Sequence, residues 1–64
     1  MNRDQYLAQL WVQNIEELYG FARSHTSTRA LKALFAERMD QGVITDPIDL
    51  SRVNWKRIKQ AVIE

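Results

Sequence analysis

From Leu7 to Ala22 the apolar positions recur at helical spacing. At about 100° per residue, Leu7, Leu10, Trp11, Leu18 and Phe21 share one stripe, and Ala8, Val12, Ile15, Tyr19 and Ala22 form a second row beside it. Gln9, Gln13, Glu16 and Glu17 take the opposite, solvated face. Asn2 is placed to cap this helix, with Gln5 at the third helical position as in a capping box. The pattern predicts one long helix over residues 2–23, with Gly20 inside it at a cost of about 1 kcal/mol relative to Ala. The two rows cover an arc of roughly 200°, where about 100° serves a single neighbour, so this helix is expected to touch more than one element.

The polar run "SHTST" at 24–28 reads as a turn whose last members cap a second helix over 28–41. Leu31, Leu34, Phe35 and Met39 make its stripe, and Gly42 stops it. Arg38 lies within the stripe, so its stem is expected to be covered while its head reaches a carboxylate or solvent. "GVITDPIDLSRVN" admits two readings. Asp46-Pro47 can open a helix, since Pro suits the first helical position. Alternatively Val43, Ile44, Ile48, Leu50 and Val53 lie along an extended connection, and Asn54 caps a short helix over 54–63. The stripe of Trp55, Ile58, Ala61 and Val62 starts at 55 and favours the second. The expected fold is all-α, a compact three-helix protein forming one domain over residues 1–64.

Asn14 falls near the centre of the main apolar stripe, between Trp11 and Leu18. A buried amide without a partner costs on the order of 1–3 kcal/mol. It is expected either to pair with a backbone group, Arg38 or the connection, or to set register against another chain, as a single buried Asn does in coiled coils.

Length sharpens that choice. A chain of 64 residues buries only about 60% of its unfolded surface. Small proteins often add disulfides, metal or oligomerisation to such a core. Cysteine is absent and His25 is the single histidine, so disulfides and a four-ligand N/S zinc site are excluded. Association is the supplement left. No apolar run approaches the roughly 18 residues of a membrane span, and "MNRDQYLAQL" lacks the pattern of a secretory signal, so a soluble, cytoplasmic protein is expected.

The net charge of +1 predicts no partner, but the charge is blocked. Residues 1–20 carry −2, 21–39 carry +3, 40–50 carry −3 and 51–64 carry +3. Catalytic chemistry finds little support. His25 between Ser24 and Thr26 makes no triad by adjacency. The pairs Glu16/Glu17, Glu37/Asp40 and Asp46/Asp49 read as solvated or capping acids. The acidic block lacks the ligand spacing of an EF-hand, and two glycines twenty-two residues apart make no phosphate loop. No cofactor, metal, membrane or small-molecule substrate is expected, and the chain is read as non-enzymatic.

Two surfaces remain. The row of Tyr6, Val12, Ile15 and Tyr19, with Asn14 beside it, suits contact with a protein partner or a second copy if the third segment leaves it uncovered. Arg52, Lys56, Arg57 and Lys59 suit phosphate contacts in a small DNA-binding regulator. A helix-turn-helix further needs a turn of three or four residues, which a helix opening at Pro47 comes near and one opening at Asn54 does not. The partner-binding module is the leading expectation and the regulator its alternative.

Overall fold

The computed structural model describes residues 2–24 and 27–63. His25 and Thr26, and with them the middle of the expected 24–28 turn, lie outside the described residues. Four α-helices follow in order: α1 Arg3–Asn14, α2 Glu16–Arg23, α3 Thr28–Asp40 and α4 Trp55–Ile63. A 3-10 turn at Leu50–Arg52 precedes the last. The described residues contain no strand, in keeping with the all-α expectation.

The long first helix expected over 2–23 is two helices, so there are four and not three. At Ile15 the backbone leaves the helical region (φ −94°, ψ 113°), closing α1 and opening α2. The reason lies in the width of the apolar arc. On one continuous helix Ala8 and Val12 would point roughly 80° away from Leu18 and Ala22. All four are fully buried. The break lets α2 turn its own stripe toward the core that α1 already faces. Composition agrees: α2 opens on Glu16 and Glu17, where negative charge favours a helix start.

Within α1 the two rows also exchange roles. Ala8 and Val12 are fully buried, whereas Leu7 and Trp11 are half-buried and Leu10 is exposed. The smaller side chains lie inside, and the larger ones border the contact. Asn14 is exposed at the end of α1, so the buried amide read from the sequence does not exist.

The Ser27 hydroxyl accepts the Ala30 N–H at 3.1 Å to open α3. Gly42, at φ 77°, closes it. The Gly42 N–H reaches the Met39 carbonyl at 3.1 Å and the Val43 N–H reaches that of Arg38 at 3.0 Å, the paired bonds of a Schellman motif. Beyond it the chain takes the extended path and not a helix from Pro47. Ile44, Ile48 and Val53 are buried along the way. The Asn54 side chain then accepts the Arg57 N–H at 3.1 Å, capping α4.

Packing gathers on α2 and α4, each of which meets the other three helices. Phe35, Leu18, Leu31, Ile58 and Val12 are the largest fully buried side chains, each contributing about 1.5–3 kcal/mol by its burial. Trp55 meets Phe35 edge to face, with ring centroids 5.2 Å apart at 65°.

Candidate interaction surfaces

The inner face of α1 is tied to the 46–54 segment by polar groups. Gln5 is 3% exposed, and its side chain brackets one residue of the distant chain. Oε1 accepts the Asn54 N–H at 2.6 Å while Nε2 donates to the Asn54 carbonyl at 3.3 Å. Asp4, also buried, accepts the Asp49 N–H at 3.0 Å. Trp11 Nε1 donates to Asp46 at 2.8 Å, and Arg3 to the Pro47 carbonyl at 3.2 Å. Asn2 caps α1 through the Gln5 N–H at 2.7 Å, as expected. Gln5 does not return that contact as a capping box would; its amide serves α4 instead.

Of the acids named as candidate pairs, Glu17, Glu37, Asp46 and Asp49 make hydrogen bonds within the fold, while Glu16 and Asp40 are exposed. Glu17 takes Arg38 in a bidentate pair, Nε to Oε1 at 2.7 Å and Nη2 to Oε2 at 3.0 Å. This is the covered stem and paired head expected of Arg38, whose side chain is 18% exposed. The Arg38 hydrogen bond holds the Glu17 carboxyl below its ordinary range. Asp49 accepts both the Ser51 hydroxyl, at 2.6 Å, and the Ser51 N–H, at 3.1 Å, which lowers its carboxyl likewise.

With one side of α1 committed, its other side is a surface. Tyr6, Leu10, Gln13 and Asn14 fall within about 100° of one another on the helix, and all four are exposed. Tyr6 is 56% and Leu10 40% exposed, one turn apart. Of the five partner residues read from the sequence, Tyr6 and Asn14 therefore share this face. Val12 does not: it is fully buried on the opposite side and is unavailable to a partner. Ile15 sits half-buried at the break. Tyr19 is half-buried on α2, with the Arg23 guanidinium 5.4 Å above its ring. Leu10 is the member that sequence reasoning assigned to the core. On its carboxy-terminal side its neighbours at helical spacing, Gln13 and Asn14, are polar, but on the other side Tyr6 and Leu7 are not, so the local pattern gives only a partial signal.

The chain matches no family model, no curated protein and no solved structure.

The four basic residues of the carboxy-terminal segment divide. Lys56 and Arg57 are exposed in the first turn of α4, and the Arg52 side chain is 62% exposed, 3.8 Å from Asp4. Lys59 is half-buried, and its Nζ donates to the Ser24 carbonyl at 3.3 Å. It stands at the carboxy-terminal end of α2, where a cation complements the helix dipole. Residues 41–54 separate α3 from α4, far more than the three or four residues of a helix-turn-helix. Between α2 and α3 only residues 24–27 intervene, and Thr28, Arg29 and Lys32 are exposed in the first turns of α3.

Proposed function

We propose that this chain is a non-enzymatic helical interaction module that acts by binding a protein surface through the outer face of α1. The observation that carries the reading is the exposure of Tyr6 and Leu10, 56% and 40%, one turn apart on a rigid helix. An amphipathic helix offering an aromatic and an aliphatic anchor within an amide rim is a recurrent mode of helix-to-helix contact.

A second copy of the chain is the occupant this face fits. Across a two-fold axis a surface meets itself, so like charges would meet like charges. The face is built from Tyr6, Leu10, Gln13 and Asn14, none of them charged. One charged residue, Arg3, is exposed within the same arc at its amino-terminal end, where its Nη1 donates to the Pro47 carbonyl. Amides such as Gln13 and Asn14 donate and accept, and so pair reciprocally with their own copies. Asn14, outside the core, then acts between chains as a register group. The engagement of Glu17, Asp46 and Asp49 in structural hydrogen bonds is in keeping with a role that needs no acid–base group.

Sedimentation velocity from micromolar to millimolar protein tests this. Wild type is expected to move from monomer to dimer, and Leu10→Glu to remain monomeric with an unchanged circular dichroism spectrum. A wild type that stays monomeric throughout, or a Leu10→Glu variant that dimerises equally, refutes it.

A further inference from the structure

We infer that the basic face formed by the first turns of α3 and of α4, with the 3-10 turn between them, binds the phosphate backbone of a duplex nucleic acid. Its cations are Arg29, Lys32, Arg52, Lys56 and Arg57, which come from two separate charge blocks of the sequence. This site lies apart from the outer face of α1, and the inference is independent of self-association.

The packing brings these residues together. The Phe35–Trp55 contact fixes the first turn of α4 against the middle of α3. Lys32 stands one turn before Phe35, and Lys56 directly follows Trp55. The Asp49 carboxylate, between the two helices in sequence, lies in the field of both Arg52 and Lys32. Arg29 is one turn before Lys32, on the exposed side of α3. Each helix start adds the positive end of its dipole beside its own cations, α3 at Arg29 and α4 at Lys56 and Arg57.

What sets these cations apart is how few carboxylates answer them, Asp49 beside Lys32 and Arg52 being the exposed one. Among the described residues Arg29, Lys32, Lys56 and Arg57 form no ion pair, and Arg52 meets Asp4 only at 3.8 Å. Asp4 and Asp46 are turned toward the fold, accepting the Asp49 N–H and the Trp11 ring N–H, whereas Asp49 is exposed between Lys32 and Arg52 and accepts Ser51. Neither the described part of α4 nor the stretch 28–36 of α3 contains an acidic residue. The neutral total of the chain thus conceals an outward cationic surface.

The chemistry of the face selects the partner. A protein interface of any strength needs buried apolar or aromatic anchors at its centre, and an anionic bilayer binds an interfacial helix through its apolar stripe. The stripe of α4, Trp55, Ile58 and Val62, is buried in the core. A nucleic-acid backbone needs no apolar anchor, since Lys and Arg acting on phosphates supply most of non-specific affinity. Four residues between α2 and α3 match the spacing of a duplex-binding helix pair, whose second helix presents its first turns to the groove. That favours duplex over single strand, for which stacking aromatics would be wanted.

Fluorescence anisotropy with a labelled mixed-sequence duplex, repeated at increasing salt, tests the inference. Four or so phosphate contacts predict affinity falling roughly 100-fold between 50 and 200 mM salt. Lys56→Glu/Arg57→Glu and Arg29→Glu/Lys32→Glu are each expected to lower affinity at least 10-fold at low salt and to flatten the salt dependence, with unchanged circular dichroism. Leu10→Glu, outside the face, is expected to bind the duplex as a monomer no more weakly than wild-type monomer does. The inference is overturned if wild type does not bind at low salt, if both charge reversals bind like wild type, or if a single strand, an acidic peptide or phosphatidylserine vesicles compete as well as unlabelled duplex.

Discussion

Replacing Gln5 by Ala is expected to be among the more damaging single changes outside the apolar core. The Gln5 amide bonds both polar groups of the Asn54 backbone, at 2.6 and 3.3 Å, and is 3% exposed. Two hydrogen bonds contribute about 1 kcal/mol each, and a part-buried N–H left without an acceptor adds on the order of 1 kcal/mol more. The Asn54 carbonyl keeps the Ile58 N–H at 3.3 Å, so only the N–H is orphaned. The expected loss is about 2–4 kcal/mol, against roughly 3–10 kcal/mol for a whole chain of this length. Urea unfolding followed by tryptophan fluorescence reads it. With a slope near 1 kcal/mol/M, the midpoint falls by roughly 2 M or more, while Gln13→Ala on the exposed face changes stability by less than about 0.5 kcal/mol. Gln5→Glu separates the two bonds. Its carboxylate still accepts the Asn54 N–H but sets a lone pair against the Asn54 carbonyl, which raises its folded pKa above the unfolded value of about 4.3. The folded state then binds the proton more readily, so the variant, measured against wild type, is most stable below that value and loses stability as pH rises through the raised one. A Gln5→Ala midpoint within about 0.5 M of wild type would refute the reasoning.

Gly42 and Gly20 make an opposed pair. Gly42→Ala forces a side chain into φ 77° and is expected to cost about 1–2 kcal/mol, whereas Gly20→Ala, in a helix with open space around the new methyl group, is expected to gain up to about 1 kcal/mol; both are read from urea midpoints. Acid weakens the fold through Glu17 and Asp49, whose carboxyls are held below their ordinary values of 4.5 and 3.8. Their contribution is present above those values and lost as pH falls through the lowered ones. The midpoint should drop in that window, and less steeply in Glu17→Gln. Lys59→Met removes a donor from the Ser24 carbonyl at the end of α2 and is expected to cost about 0.5–1 kcal/mol, measured the same way.

What the sequence reveals of this fold is what neighbouring residues decide among themselves. Asn2, Ser27 and Asn54 cap helices because a side chain reaches an N–H three residues on, and Gly42 ends α3 because its backbone must go left-handed. The extended connection is legible for a similar reason: the stripe of Trp55, Ile58, Ala61 and Val62 begins at 55, and buried Val53 would point roughly 160° away from Trp55 on one continuous helix. The polar ties of Gln5 and Asp4 to residues more than forty positions away leave no local trace. A capping-box Gln and an acid in a first helical turn look the same whether they face water or another segment. The same limit misplaces the contact face on α1. Two apolar rows were visible, but which of them met α4 was set by tertiary packing, and that choice buries Val12 and exposes Leu10.

The break at Ile15 can be decided by the sign of one difference. Ile15 has cap geometry, φ −94° and ψ 113°, and no side-chain bond to the turn it opens. Replacing it by Ala or by Ser removes the same half-buried packing, since the two new side chains differ by one hydroxyl. At an N-cap that hydroxyl can accept an N–H of the first turn of α2, and Ser exceeds Ala there by about 0.5–2 kcal/mol. In the interior of a continuous helix the order reverses, with Ala ahead by about 0.5 kcal/mol. Comparing Ile15→Ser with Ile15→Ala in urea cancels the packing loss and leaves the cap. Ser above Ala is expected, because a single straight helix would carry its buried residues on faces roughly 80° apart. Ala above Ser would mean that residues 3–23 are one helix, and both the burial of Val12 and the outward face of Tyr6 and Leu10 would have to be redrawn.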